Sequence, residues 1–357
     1  MDSGRAQIPG AILQNEGSPV TLSRLNEILD RMRSVRIGVC GDFCIDAYWQ
    51  LDRGAPEISL ETGKPTSAVR SQRYTPGGGG NVAANLTALG AGTVRAFSVI
   101  GHDMYGRELT SLLRERGIDT SGLLVQEQGW ETPVYAKPYL AETEQERIDF
   151  GRWNALSPET ESALCRLIRS ALGELDALIV NQQLASGVHS GTMIRTLNEC
   201  ARDNPSVTFM VDARTMSDSF TGMVCKLNAR EASRLAATAG GRDTGTSHAA
   251  LRSHARAIGA RCGKPVFVTR GAEGILVFDG KGFTDAPAVP VTGPVDTVGA
   301  GDATVSAIAA TIAAGGTLAE AAEMGNLAAA VTVRKMRETG TATRGEILSL
   351  ARERGSA

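Results

Sequence analysis

The sequence predicts an α/β fold built on a mostly parallel sheet that is flanked by helices and carries a small inserted β lid. Short apolar runs alternate with longer stretches of helical periodicity along most of the chain, which is the pattern of a parallel sheet covered on both faces. Two polar, β-leaning segments, 48–74 and 132–153, interrupt this alternation. We interpret these two segments as the lid.

Seven apolar runs are the predicted strands of the core. Each is short and rich in Val, Ile, Leu or Phe, as expected of strands that are buried on both faces. The runs are VRIGVC (35–40), VRAFSVI (94–100), LDALIV (175–180), VTFMVD (207–212), MVCKLN (223–228), PVFVTR (265–270) and GILVF (274–278).

The predicted helices fall between and after these strands. Leu22, Leu25, Ile28, Leu29 and Met32 recur at helical spacing and predict a lead-in helix, whereas the first 20 residues are expected to be poorly ordered. The chain thus divides into an N-terminal tail and helix (1–34), an α/β core (35–47, 75–131 and 154–357) and the lid. The other predicted helices are 103–117, 158–172, 187–203, 247–262, 301–314, 318–336 and 344–353.

Composition excludes several classes of protein. The net charge is −2, from 37 basic and 39 acidic residues, so there is no general electrostatic reason to expect nucleic acid or an anionic membrane as a partner. No segment reaches the roughly 18 uninterrupted apolar residues of a membrane span, and the N-terminus lacks a basic segment followed by an apolar one. We expect a cytoplasmic protein whose six scattered cysteines are small core residues rather than disulfides or zinc ligands.

In an open parallel sheet, ligands bind beyond the carboxyl ends of the strands. The first predicted strand is followed by GDFCID, which contains Asp42 and Asp46. Carboxylates at this position can accept hydrogen bonds from sugar hydroxyls, although an aspartate after glycine also commonly forms a turn.

The stretch PGGGGNVAANLTALG (76–90) runs from four glycines into a predicted helix. Glycines such as Gly78 and Gly79 let a ligand approach the backbone, and the helix start supplies free amides. Asn81 can act as a helix cap or as a substrate ligand. The stretch is neither a GxGxxG dinucleotide fingerprint nor a Walker A loop.

Two further stretches carry candidate polar groups. In LNAREA (227–232), Asn228 and Glu231 can face a Mg²⁺-bound water or a phosphate, or they can form a helix capping box.

In VDTVGAGDAT, the glycine turn precedes a helix that starts near Asp302, and amides of such a turn favour developing negative charge. Asp302 can accept a hydroxyl proton there, or it can be an acid that stabilises the first helical turn.

Together these stretches resemble the ribokinase or PfkB family of ATP-dependent sugar kinases over about residues 35 to 350. PGGGGNVAANLTALG resembles the family's N-terminal motif, and DTVGAGD resembles its more specific C-terminal motif, usually DTxGAGD. LNAREA resembles the NxxE motif, and VTRGAEG resembles a turn on the nucleotide side. The four motifs occur in the family's order.

The resemblance implies a Rossmann-like ribokinase fold that moves the γ-phosphoryl of ATP to a sugar hydroxyl. It implies a lid used as the clasp of a homodimer, Mg²⁺ as cofactor and K⁺ as a possible one. Asp302 would be the base, and Gly299, Ala300 and Gly301 would form the anion hole. Asp42, Asp46, Gly78, Gly79 and Asn81 would hold the sugar. Asn228, Glu231, Thr269, Gly271, Gly274 and Asn326 would bind the nucleotide, with Glu231 holding Mg²⁺ through water.

Within the family, the segments EISLETGKPTSAV, ERIDF, VDAR and TGTAT are similar to those of heptose-7-phosphate kinases. The chain departs from them at NQQLASG (181–187), at Leu227 and at Ala213. Lys137, Arg147 and Arg152 are candidates to bind a substrate phosphate, or they are solvated lid charges. The alternative functions are a nucleoside kinase of the same superfamily and a non-catalytic regulator that binds a sugar or nucleotide.

Overall fold

The computed structural model describes residues 20–52, 54, 57–238, 245–337 and 339–355. The tail that is expected to be poorly ordered lies almost wholly outside this part of the chain. The predicted mostly parallel sheet is confirmed. Within the described residues it has nine strands in the order β14-β13-β12-β11-β10-β9-β1-β4-β5. The strands are β1 (Arg36–Gly41), β4 (Thr93–Gly101), β5 (Asp119–Gln126), β9 (Ala177–Gln182), β10 (Thr208–Ala213), β11 (Val224–Asn228), β12 (Val266–Thr269), β13 (Ile275–Phe278) and β14 (Phe283–Ala286).

All neighbouring strands of this sheet pair in parallel except β12 with β13 and β13 with β14. The carboxyl ends of the parallel strands therefore meet at one edge, where the candidate loops begin. The seven predicted strands are present with small shifts of their ends. The two outer strands, β5 and β14, were not predicted, because each has a mixed, partly exposed side-chain pattern that resembles a loop.

Helices cover both faces of the sheet. The helix predicted over 187–203 begins only at Gly191, because the side chain of Ser190 caps it by accepting from the amide of Met193. No α-helix of the described chain has both the length and the apolar composition needed to cross a bilayer. The helices are α1 (Leu22–Arg31), α2 (Gly79–Leu89), α3 (Met104–Glu115), α4 (Pro158–Ala171), α5 (Gly191–Asp203), α6 (Ala229–Thr238), α7 (His248–Cys262), α8 (Ala300–Ala313), α9 (Leu318–Thr332) and α10 (Arg344–Gly355).

The core has two apolar layers, one on each face of the main sheet. Leu29 of α1, Val82 of α2 and Ile308 of α8 belong to the first layer. Ile168 of α4 and Leu197 of α5 belong to the second. Burial of these side chains is the main favourable contribution to folding. The six cysteines are free and buried, as predicted for small core residues.

A second, smaller sheet corresponds to the predicted lid but extends beyond it. The predicted boundary at residue 48 falls within β2 (Phe43–Asp52), whose first six residues are buried against the core. The next strand, β3 (Ala68–Gly78), continues to the start of α2. Asp46 therefore lies on the second sheet. The strands are β2 (Phe43–Asp52), β3 (Ala68–Gly78), β6 (Val134–Leu140), β7 (Thr143–Glu144) and β8 (Ile148–Phe150), in the order β3-β2-β6-β7 with β8 beside β6.

Gly41, at the end of β1, is required by the close approach of β9. A Cβ atom added there would lie 2.0 Å from the carbonyl oxygen of Asn181 on the paired strand. We expect Gly41→Ala to lower the free energy of unfolding by about 1–3 kcal/mol, because the two backbones must move apart. Urea unfolding measures this, with Gly173→Ala as the control, since a Cβ there meets nothing within 4 Å. Equal stability of both variants would contradict the close approach.

Candidate active site

The predicted turn before Asp302 is the N-terminus of α8. Gly299 has φ +80°, which favours glycine, and the helix begins at Ala300, one residue before the predicted range 301–314. Within the described chain, the amide of Ala300 donates to Thr297 O at 3.2 Å, whereas the amides of Gly301 and Asp302 make no hydrogen bond. The first turn of α8 thus presents two free donors to an anion.

Asn81 of α2 holds the Asp302 carboxylate. Its Nδ2 donates to Asp302 Oδ2 at 2.8 Å, and its Oδ1 accepts from Asn85 Nδ2 at 3.3 Å. Asn85 is fixed in turn, because its Oδ1 accepts from the amide of Ala342. Asn81 is not a helix cap, since Gly78 is the N-cap of α2. The structure instead makes Asn81 the partner of the candidate base.

The environment of Asp302 raises its pKa to about 6. Burial is the largest cause, and the carboxylates of Asp212 and Asp46 add to it. The hydrogen bond from Asn81 and the charge of Lys226 act in the opposite direction. A carboxylate with a pKa near the working pH is suited to accept a proton in a reaction and to release it afterwards.

Lys226 was missed as a site residue in the sequence. It lies on β11, its Nζ is 3.1 Å from Asp212 Oδ1 on β10, and both side chains are buried. A Cβ atom at Gly301 would lie 3.2 Å from this Nζ, so the ammonium reaches the turn before Asp302. The signal in the sequence is a lysine within the mainly apolar run MVCKLN (223–228). The preceding predicted strand, VTFMVD (207–212), ends in an aspartate.

Asp46 lies in a buried polar cluster at the junction of the two sheets. Its Oδ1 is 2.9 Å from Lys137 Nζ, and its Oδ2 accepts from Thr339 Oγ1 at 2.7 Å. Tyr48 OH lies 3.0 Å from the same hydroxyl of Thr339. Lys137, considered in the sequence as a phosphate ligand, here pairs with Asp46. Thr339 could not be found from spacing, because it is 293 residues away from Asp46.

Asp42 makes different contacts from Asp46. Its Oδ2 accepts from the amides of Gln183 and Leu184 at 2.7 and 2.8 Å, and its Oδ1 accepts from that of Val188 at 3.1 Å. The carboxylate therefore holds the NQQLASG loop in place. Its role as a sugar ligand stays a prediction from the sequence, while in the structure its carboxylate accepts from these amides and lies 3.8 Å from the buried His189 Nδ1.

The glycines before α2 are packed closely against the protein. Gly78 has φ +55°, and a Cβ atom there would lie 2.4 Å from the carbonyl oxygen of Asp42. A Cβ atom at Gly79 would lie 2.7 Å from the ring of Phe43. Both glycines are thus required by the joint between β3, α2 and β2, whatever they contact in a ligand.

Asn228 and Glu231 form the capping box that the sequence left as an alternative. The amide of Asn228 donates to Glu231 Oε2 at 2.8 Å, and the amide of Glu231 donates to Asn228 Oδ1 at 2.9 Å. Burial raises the pKa of Glu231, although the hydrogen bond from Asn228 opposes this. The two side chains lie at the end of β11, beside Lys226, so they also border the candidate site.

The remaining residues that are predicted to bind the nucleotide lie at the end of β12 and after it in the chain. Thr269 pairs with Asn228 in the sheet, and Gly271 has φ +60° in the turn that follows. Gly274 is required by the backbone, because a Cβ atom there would lie 2.1 Å from the carbonyl oxygen of Ala286. Asn326 Nδ2 donates to the same oxygen at 3.0 Å. Gly274 and Asn326 therefore hold one loop together.

The family of the chain follows from its sequence match. Residues 43–343 match the family model described as pfkB family carbohydrate kinase. The chain belongs to the pfkB family of carbohydrate kinases. The family predicted from the four motifs is therefore confirmed, and the stretches that carry them, from PGGGGNVAANLTALG to DTVGAGD, lie inside the matched range.

Curated relatives of this pfkB-family chain include two proteins named bifunctional protein HldE. That of Trichlorobacter lovleyi is 29% identical over 329 residues, which are 91% of this chain and 64% of the relative. That of Campylobacter curvus is 31% identical over 328 residues, which are 91% of this chain and 67% of the relative. The chain thus spans about two thirds of the length of these relatives.

Solved structures show the same fold. Phosphofructokinase-2 of Escherichia coli in complex with potassium has a TM-score of 0.70 at 20% identity and covers 89% of this chain and 99% of its own. Ribokinase of Thermotoga maritima has a TM-score of 0.67 at 20% identity, with the same coverage. The predicted ribokinase-like fold of this pfkB-family member is confirmed.

The raised pKa of Asp302 predicts a pH-dependent cost to stability. The folded state binds the proton of Asp302 more tightly than the unfolded chain does, so stability falls as the pH rises through about 6. We expect Asp302→Asn to raise the free energy of unfolding by on the order of 2 kcal/mol at about pH 8, and by less at about pH 5. Urea titrations at both pH values measure the difference. A gain that does not change with pH would contradict the raised pKa.

Proposed function

We propose that this pfkB-family protein moves the γ-phosphoryl of ATP to a hydroxyl of a sugar phosphate, with Asp302 as the base. The observation that carries the proposal is the position of Asp302. Its carboxylate is held by Asn81, has a pKa near 6 and lies at a helix N-terminus with free amides. A base beside an anion site is the combination that in-line phosphoryl transfer to an alcohol requires.

In the proposed reaction, the acceptor hydroxyl attacks Pγ and its proton passes to Asp302. The new O–Pγ bond forms as the bond between Pγ and the β,γ-bridging oxygen breaks, and ADP leaves with the electron pair. The amides of Gly301 and Asp302 donate to the phosphoryl oxygens. Asp46, on the second sheet, binds the sugar. Positioning and charge neutralisation supply most of the rate in such reactions.

Mg²⁺ fits the groups at the end of β11. Magnesium sites in kinases take one or two carboxylates, with waters and phosphate oxygens as the other ligands. Glu231, whose Oε2 is fixed by Asn228, is the carboxylate that would hold it through water. The ion would neutralise charge on the phosphates. Among the described residues there is no group of three or more His, Cys, Asp or Glu side chains that could hold a metal ion. K⁺ stays a prediction from the resemblance.

Two arginines near Asp46 support an acceptor that already carries a phosphate, although the Arg147 guanidinium also pairs with the Asp149 carboxylate at 2.7 Å. Tyr135 pairs with Asp46 across β2 and β6, so it lies beside the proposed sugar ligand. Burial raises the pKa of Tyr135 to about 12, although the charges of Arg214 and Arg147 oppose this, and the Arg147 guanidinium lies 4.5 Å from its ring centroid. Arginine is suited to bind phosphate. We propose a heptose 7-phosphate as the acceptor, in line with the sequence likeness to heptose-7-phosphate kinases.

The second sheet is the proposed dimer contact. It exposes the apolar side chains of Val69 on β3 and Ile148 on β8, and the loop between β2 and β3 exposes Ile58 and Leu60. Exposed apolar groups of this kind are typical of surfaces that meet another protein. This observation supports the homodimer that the resemblance implies.

Replacement of the base tests the proposed chemistry. We expect Asp302→Asn to lower kcat by about 10²–10⁴-fold, the usual contribution of a general base, while calorimetry shows nearly unchanged ATP binding. ADP release should be measured across heptose 7-phosphate, other sugar phosphates, free sugars and adenosine. Asp203→Asn, an exposed carboxylate on α5, is the matched control.

Each outcome of that experiment has a distinct meaning. Near wild-type turnover of Asp302→Asn would contradict the role of the base. Preferred turnover of adenosine would indicate the nucleoside kinase instead. Nucleotide binding by the wild type with no acceptor turned over would favour the non-catalytic regulator.

Replacement of Arg147 tests the acceptor class. We expect Arg147→Gln to raise KM for a phosphorylated acceptor roughly 10-fold, because a charge-assisted hydrogen bond is lost, with little change for an unphosphorylated sugar. Steady-state kinetics with both acceptors measure this. Arg166→Gln, which replaces an exposed arginine of α4, is the control. An equal change of KM for both acceptors would exclude a phosphate contact.

A further inference from the structure

Three polar side chains lie in register across adjacent buried strands below α8. Asn181 of β9 pairs with Asp212 of β10, and Asp212 pairs with Lys226 of β11. Their exposed fractions are 0%, 7% and 6%. Buried polar groups cost free energy unless they are hydrogen-bonded or paired. In the described chain, neither Nδ2 nor Oδ1 of Asn181 has a hydrogen-bond partner, so the hydrogen-bonding groups of this row are not all satisfied.

Lys226 reaches from this row to the N-terminus of α8. Its Nζ is 3.1 Å from Asp212 Oδ1 and 3.2 Å from the position that a Cβ atom at Gly301 would occupy. An ammonium has three donors, and one is used by Asp212. The absence of a side chain at Gly301 leaves the space beside the ammonium open, next to the free amides of the turn.

The charge of Lys226 is maintained in spite of its burial. Burial alone would lower its pKa, but Asp212, Glu231 and Asp302 more than offset this, and the pKa is raised. The positive charge of Lys226 lowers the pKa of Asp302, whereas the carboxylates of Asp212 and Asp46 raise it. A permanent positive charge therefore lies beside the helix N-terminus and the candidate base.

We propose that Lys226 is a catalytic residue whose ammonium contacts the transferred γ-phosphoryl at the N-terminus of α8, where Asp212 holds it. The inference rests on the proposed function and deepens it. Lys226 keeps its proton throughout the transfer, and its charge opposes the negative charge that spreads over the phosphoryl oxygens. An ammonium in a site that excludes water stabilises this charge more than it would in water.

The competing explanation is that Lys226 only pairs with Asp212 and joins β10 to β11. A set of three variants separates the two: Lys226→Met, Asp212→Asn and the double variant Lys226→Met/Asp212→Asn. The double variant removes both members of the buried pair, so it should fold even if Lys226→Met does not. If the pair were structural only, the double variant would recover near wild-type turnover. We expect its kcat to stay about 10²–10³-fold below wild type.

Nucleotide binding gives a readout that does not depend on the acceptor. The β,γ-imido analogue of ATP has a γ-phosphoryl and ADP has none. We expect the double variant to bind the analogue at least roughly 10-fold more weakly than wild type, with unchanged affinity for ADP. Equal effects on both nucleotides, or recovery of turnover in the double variant, would overturn the proposal. A wild type that binds both nucleotides but phosphorylates no acceptor would contradict the proposed function alone.

The acid limb of the pH profile is a further readout. Asp302 faces Asn81 on α2, Lys226 on β11, Asp212 on β10 and Asp46 on β2. Removal of Lys226 alone should raise the pKa of Asp302 and move the acid limb of kcat/KM to higher pH. The double variant should show a smaller displacement, because Asp212 and Lys226 act in opposite directions. An acid limb that stays in place in Lys226→Met would contradict this coupling.

Discussion

The hydrogen bond between Asn81 and Asp302 joins the two helices that the candidate site depends on. Asn81 lies on α2, which follows the second sheet, and Asp302 lies on α8, which packs on the main sheet. Ser306 Oγ makes a second link, because it donates to Val82 O at 3.0 Å. Because both helices are fixed, the Asp302 carboxylate is held half-buried, and its Oδ2 accepts the hydrogen bond from Asn81. Its raised pKa and its position at the free amides both follow from this packing.

The loop after α9 connects the cluster around Asp46 to the turn before α8. Thr339 donates to Asp46, and its side chain lies against Gly299, where an added Cβ atom would meet Thr339 Cγ2 at 3.1 Å. Asp296 fixes the same loop, since its Oδ2 accepts from the amide of Arg337 and its Oδ1 accepts from that of Val298. The turn before α8 and the cluster around Asp46 therefore share one support.

Much of this arrangement could be predicted from the sequence, because its signals are local. Apolar runs gave the inner strands, and the glycine turn with Asp302 gave the start of α8. The partners of these residues were harder to predict. Asn81 and Asp302 are 221 positions apart, and spacing in a single sequence does not show which distant strands and helices meet. Lys226 lies in an apolar run that predicts only a strand, and the run does not show which groups the lysine meets.

Asp42 and Gly78 show a second limit of such predictions. Both stand in motifs that are typical of ligand sites, yet the contacts observed are with the backbone of the protein. The Asp42 carboxylate accepts hydrogen bonds from three backbone amides of one segment. The absence of a side chain at Gly78 leaves room for the carbonyl oxygen of Asp42. A motif records which residues are required but does not say whether the ligand or the fold requires them. Only the packing separates the two.

One feature of the chain path links architecture to selectivity. Asp42 is the single residue between β1 of the main sheet and β2 of the second sheet. Asp46 is thus carried by one sheet, and Asp302 by a helix on the other. If Asp46 binds the acceptor and Asp302 takes its proton, as proposed, the distance between these two groups depends on how the two layers pack against each other. Under the proposed function, the packing of the two layers would then limit how long an acceptor can be.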